Sequence, residues 1–196
     1  MPERYAKPPS VFDIAQVDGK RALRVRTDKS WGSLVHAWSG PASTLQFQWR
    51  LDTPLAQSNL SAKATEDLAL KACVSFDMPA KHIPSGERTL FKLAQFFSSD
   101  KLPTATLCYV WGQADSVGSV IASPVTARVR YMVLNAATSP LGTWQEHRRN
   151  LPADFLKAFG AETTTVPAVT AIIIGADSDN TQGASLAYIS QMAVLP

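Results

Sequence analysis

At 196 residues, 45% of them hydrophobic and 18% charged, the chain has the composition of a globular domain with a sizeable core, which excludes a disordered or coiled-coil protein. Its net charge of +3 is small and no basic block exceeds Arg148-Arg149, so the basic face that nucleic-acid binding requires is missing. No apolar run approaches the roughly 20 residues of a membrane helix, and the first residues hold no apolar core of a signal peptide.

Residues 1–10 carry three prolines and read as an extended lead-in, with 11–196 as a single domain. Short strands are expected over 11–14 and 21–27, separated by the turn pair Asp18-Gly19. Strands over 33–38 and 45–51 follow, on either side of Gly40-Pro41. In the second, Leu45, Phe47, Trp49 and Leu51 alternate with Gln46, Gln48 and Arg50, the period of a strand with one buried face. Residues 53–65 read as a polar loop; its Asn59-Leu60-Ser61 triplet matches a glycosylation acceptor and carries no weight without a secretory context. A strand over 67–77 places Leu68, Leu70, Ala72, Val74 and Phe76 on one face.

The segment 85–97 breaks the pattern. Leu90, Leu93, Ala94 and Phe97 recur at helical spacing, so an amphipathic helix is expected, with Ser85 as its cap and Arg88 in place of the usual acid three residues on. Further strands are expected over 104–111, 125–134 and 143–149, the last anchored by Trp144, with a Gly/Ser/Asp loop over 113–124. A short helix over 151–160 has Pro152 near its start and Gly160 at its end. An apolar run over 169–174, the acidic turn Gly175 to Gly183 and a final strand over 184–195 close the chain. About ten strands, two helices and no βαβ rhythm predict a mainly β protein, an antiparallel β-sandwich of jelly-roll type with two short helices inserted between strands. Cys73 and Cys108 lie in strand-like segments without metal-site spacing. They form a disulfide if those strands are neighbours; buried free thiols are the favoured expectation, because free cysteine packs as a small hydrophobe.

Several segments taken together, WGSLVHAW, LQFQWRLDTPL, DLALKACVSFDMP, TLCYVWG, VRYMVL, WQEHRRNLPADFLKAFG and GADSDNT, resemble a group of bacterial, mostly proteobacterial, proteins catalogued only as a domain of unknown function. The resemblance runs from about Val11 to Leu195. It implies export to the cell envelope, hence a periplasmic or secreted location, and supplies no reaction. The chain departs from the group just before ALKAC, where relatives are rich in glycine and aspartate and this chain has Lys63-Ala-Thr-Glu66-Asp67. The expected shape is also similar to that of jelly-roll carbohydrate-binding modules, a likeness of fold alone.

Three kinds of candidate chemistry stand out. Asp177, Asp179 and Asn180 offer hard oxygen ligands for a structural Ca²⁺, although the spacing is not that of a twelve-residue calcium loop; the alternative is a turn in which these side chains bond their own backbone. Trp38 and Trp111 sit at strand ends beside glycines, where a sugar would stack, while Trp49 reads as core. Arg50 and Arg130 lie opposite apolar strand faces and are suited to forked bonds with carboxylates or hydroxyls; the alternative is a solvated face or an ion pair with Asp52 or Asp67. His36, His82 and His147 form no HExxH, and no nucleophile elbow or phosphate loop is present. The leading expectation is non-catalytic binding of a carbohydrate or related polar polymer through Trp38, Arg50, Asp67, Trp111 and Arg130. A glycan-active hydrolase or lyase joining Asp67 to Asp177 or Asp179 near Arg130 or His36 is the second. A protein-interaction domain without a small ligand is the third.

Overall fold

The computed structural model describes residues 8–97 and 102–196. Residues 1–7 of the expected lead-in, and the side chains of Ala94 and Phe97, lie outside that description. Eleven strands are present among the described residues: β1 (Val11–Val17), β2 (Lys20–Asp28), β3 (Trp31–Gly40), β4 (Thr44–Thr53), β5 (Leu68–Phe76), β6 (Ala105–Trp111), β7 (Val120–Ala122), β8 (Val129–Asn135), β9 (Gln145–Asn150), β10 (Val169–Asp177) and β11 (Ala184–Leu195). Helix α1 (Ser85–Phe97) falls between β5 and β6, and α2 (Leu151–Phe159) between β9 and β10.

The strands form two sheets, one ordered β1-β2-β11-β4-β9 and the other β3-β10-β5-β6-β8-β7. From β2 to β5, and again from β8 to β11, successive strands change sheet, which is the jelly-roll habit. Every pair is antiparallel except β6 with β8. The β1–β2 hairpin turns on Asp18 (φ 51°) and Gly19 (φ 74°), the two left-handed residues a tight hairpin needs. The alternation read in β4 holds: Leu45, Phe47, Trp49 and Leu51 are buried between the sheets. They face Leu70, Ala72, Val74 and Phe76 of β5, with Phe155 and Phe159 of α2 closing the core.

Four local expectations are corrected. β5 is buried on both faces, and Leu68 joins a second cluster on the outer side of the six-stranded sheet with Leu60, Cys73, Cys108, Tyr131 and Val133. The loop over 113–124 contains β7, too short to announce itself by alternation, and β8 begins at Val129 because Thr126–Val129 forms a turn. Helix α1 presents Leu90 and Leu93 to solvent; Phe91 is its apolar anchor, and its first turn is held by Pro84, whose carbonyl accepts from Glu87 and Arg88. Arg88 itself turns back onto the carbonyls of Lys81 and Ile83. Finally, Cys73 and Cys108 are bonded to each other. They stand directly opposite in the β5–β6 register, in one row that crosses the sheet from Ile121 through Tyr131, Cys108, Cys73 and Ile173 to Val35.

Candidate functional site

β3 and β10 at one margin of the six-stranded sheet face β11 of the other sheet, and the sandwich is open there. A groove of about 460 Å³ runs along the opening, walled by Leu34, His36 and Trp38 from β3, Ile172 and Ile174 from β10, and Met192 and Val194 from β11. Past Ile174 and Met192 it continues into a hollow of about 310 Å³ bounded by Ile14, Leu23 and Ile189. The groove exists because β11 bulges. Its register with β4 shifts between Ser190 and Ala193, and Gln191 takes a left-handed φ of 52°, so the strand bends. At the far end of β3, Gly40 makes room for Trp38: a side chain there would come within 3.2 Å of the indole nitrogen. Trp38 is half-buried, its ring centroid 6.4 Å from that of the exposed His36. The lining is aliphatic apart from these two rings, so what the groove offers is apolar contact, with the imidazole and the indole N–H as its polar side-chain groups.

The acidic turn lies elsewhere, packed against the Glu66-Asp67 segment. Asp67 is fully buried, and its carboxylate accepts from the backbone N–H of Asn180 (3.2 Å) and Thr181 (2.6 Å) and from the Thr181 hydroxyl (2.6 Å). Asp177 accepts from the Leu68 N–H (2.9 Å) and from Lys71 Nζ (3.2 Å). Burial holds its carboxyl above the usual range, against the pull of Lys71. The Asn180 amide donates to the Glu66 carbonyl (3.1 Å), and the Glu66 carboxylate accepts from the hydroxyls of Ser123 (2.5 Å) and Tyr131. Among the described residues, no three His, Cys, Asp or Glu side chains gather as a group able to hold a metal ion. Asp67 thus caps the backbone of the acidic turn, while Asp177 and Asn180 of that turn bond β5 and Glu66 in place of their own backbone.

The remaining candidates lie apart from one another. Trp111 is buried, 6.1 Å from Trp49, and donates its indole N–H to the Ala136 carbonyl. Arg50 is bonded to Asp52 (2.6 Å) and Asp18 (2.5 Å). Arg130 lies over the Phe159 ring and is paired with Glu162 (2.6 Å), which Arg128 also engages. Arg130 and His36 share one row of the six-stranded sheet, through Leu107, Val74 and Ile172, but three strands lie between them, four interstrand spacings or about 19 Å. His147, on the inner side of β9, bonds Asn135, and burial pushes its imidazole down to about 4. Trp144 precedes β9, with Lys20 Nζ 5.1 Å above its ring. Of the five candidate ligand-binding residues only Trp38 faces the edge groove. Sequence reading missed its partners Ile172, Ile174, Met192 and Val194, because a continuous apolar run does not reveal which faces stay uncovered.

A family model described as "Protein of unknown function (DUF3047)" matches residues 2–193. The chain belongs to this DUF3047 family. No curated protein matches it. Among solved structures, the xyloglucanase domain of NopAA, a type three effector from Sinorhizobium fredii in complex with cellobiose, is 10% identical over 98% of this chain and 91% of its own, with a TM-score of 0.48. A family 12 xyloglucanase from Bacillus licheniformis in complex with ligand is 10% identical over 96% of this chain and 97% of its own, with a TM-score of 0.44. Likenesses at this level carry nothing over to the ligand or the site residues of a DUF3047 protein. No helix among its described residues is long and apolar enough to cross a membrane.

Proposed function

We propose that this DUF3047 protein is a non-catalytic binding domain whose site is the groove at the open edge of the sandwich. One observation carries the reading: the interior of the sandwich is reachable between β3 and β11, and Trp38 and His36 stand on its wall. The ligand is an amphiphile, a molecule with an extended apolar stripe for Leu34, Ile172, Ile174, Met192 and Val194 and a polar group for His36. The carboxylates argue against catalysis at the acidic corner, since Glu66, Asp67 and Asp177 accept bonds from the protein's own donors, as structural carboxylates do. A second reading, carbohydrate binding, is favoured by Trp31, 58% exposed at the start of the strand that ends near Trp38. The disulfide supports work in an oxidising compartment, in line with the export that the sequence resemblance implies.

A titration separates the two ligand classes. Dodecanoate and dodecyl maltoside below their micellar concentrations, and cello- and xylo-oligosaccharides, are added to the purified protein while its melting temperature and tryptophan fluorescence are read. A saturable rise with the alkyl ligands, weakened at least tenfold by Trp38→Ala, is expected. A response to the oligosaccharides alone moves the assignment to carbohydrate, and no response to either class ends the binding-domain reading.

A further inference from the structure

The backbone of β3 points to a second copy of this chain. Among the described residues, β3 ends the six-stranded sheet and pairs with no strand but β10. In an antiparallel strand the N–H and C=O of one residue point to the same side, and successive residues alternate between sides. Trp31 fixes the phase: its N–H donates to the Pro8 carbonyl and its carbonyl accepts from the Ser10 N–H, both on the side away from β10. The N–H and C=O groups of Ser33, Val35 and Ala37 therefore also face outward, before the β10 register shift that follows Ala37. Proteins guard such edges with charges, prolines or a covering element. From Trp31 to Gly40 this strand has no Asp, Glu, Lys, Arg or Pro, and Val35 is 66% exposed.

We propose that two copies pair antiparallel through β3, about a two-fold axis at Val35. In that register Val35 lies opposite its own copy and Ser33 opposite Ala37 of the other chain. The three outward residues of each chain then form hydrogen-bonded pairs with the three of its mate, so the edge is complementary to itself. Electrostatics agree, because the absence of charge along β3 means that pairing brings no like charges together. The side-chain rows agree as well. Val35 extends the apolar row of Cys73 and Ile173 into the same row of the second copy, and Leu34 comes opposite the second copy's imidazole at position 36. The ladder is short, about 17 Å for five residues. That is below the roughly 800 Å² per partner of a standard stable interface, so the dimer is weak and forms with rising concentration.

Sedimentation across a concentration series of the intact chain is the test, with two variants that fix the register. Val35→Lys places like charges opposite each other on the axis and raises the dissociation constant at least tenfold, while its unchanged melting temperature shows that the monomer folds. Val35→Cys cross-links to itself under mild oxidation, because opposed residues of a hydrogen-bonded pair have Cα atoms about 5.5 Å apart, within disulfide reach; Ala37→Cys, displaced from the axis, stays monomeric. A native protein that remains monomeric at every concentration, a Val35→Lys dimer as tight as the native one, or equal cross-linking at both cysteine positions overturns the proposal. The first of these outcomes leaves the edge to a strand of another protein.

Discussion

Two regions of this DUF3047 protein carry the residues that attract notice in its sequence, and they use them in opposite ways. At the acidic corner, Asp67, Asp177, Asn180 and Glu66 are joined to backbone N–H groups, hydroxyls, a carbonyl and Lys71, leaving little to offer a ligand. At the β3 edge the outward backbone groups have no strand beside them among the described residues, and the side chains leave a groove between the sheets. A cluster of functional-looking residues is therefore a weaker guide to a site than unspent bonding capacity. Polar groups already satisfied inside the fold have lost much of what would recognise a partner.

Experiments on the two regions can break or sharpen this contrast. The largest effect is expected from the disulfide that ties β5 to β6 beside the corner. It spans 35 residues, and chain entropy alone assigns it about 4 kcal/mol. Reduction, followed by urea unfolding, should lower the midpoint accordingly, and thiols blocked at lysis of the native cells should show no free cysteine. Next comes Asp67→Ala, which removes the acceptor for Asn180, Thr181 and the Thr181 hydroxyl. Losing the three bonds of this fully buried carboxylate should cost about 3 kcal/mol, or roughly 6–12 °C of melting temperature for a chain of this size. A loss within 0.5 kcal/mol would mean that the corner is not a structural cap, and it would reopen the turn as a ligand site. The smallest effect is expected at the edge. Leu34→Ser, at a side chain 45% exposed, should change stability by less than about 1 kcal/mol while weakening alkyl-ligand binding. A large destabilisation would show that the edge is part of the core.

Much of the fold was legible because it rests on local rules. Alternation in β4, the Asp-Gly hairpin, and the bounds of α2 at Pro152 and Gly160 need only a few neighbouring residues. The helical spacing of α1 was equally visible, yet two of its four apolar positions, Leu90 and Leu93, face solvent. Leu90, Leu93 and Phe91 are all apolar, and the choice among them depends on where the first turn is fastened, here through Pro84 and Arg88. The candidate site was legible in one residue. Trp38 was found from its place at a strand end, but Met192 and Val194 face the groove only because Gln191 bends β11.

The sequence by itself determined that this chain is a β-sandwich with two inserted helices, because strand and helix periods are written in residues two to four positions apart. Only the tertiary structure decided that Cys73 would meet Cys108, that Asn180 and Thr181 of the last turn would close around Asp67, and that the outer side of β3 beyond Trp31 would have no strand beside it among the described residues. Each of these depends on which strands become neighbours, and that choice is made by burial across the whole chain, where no local pattern records it.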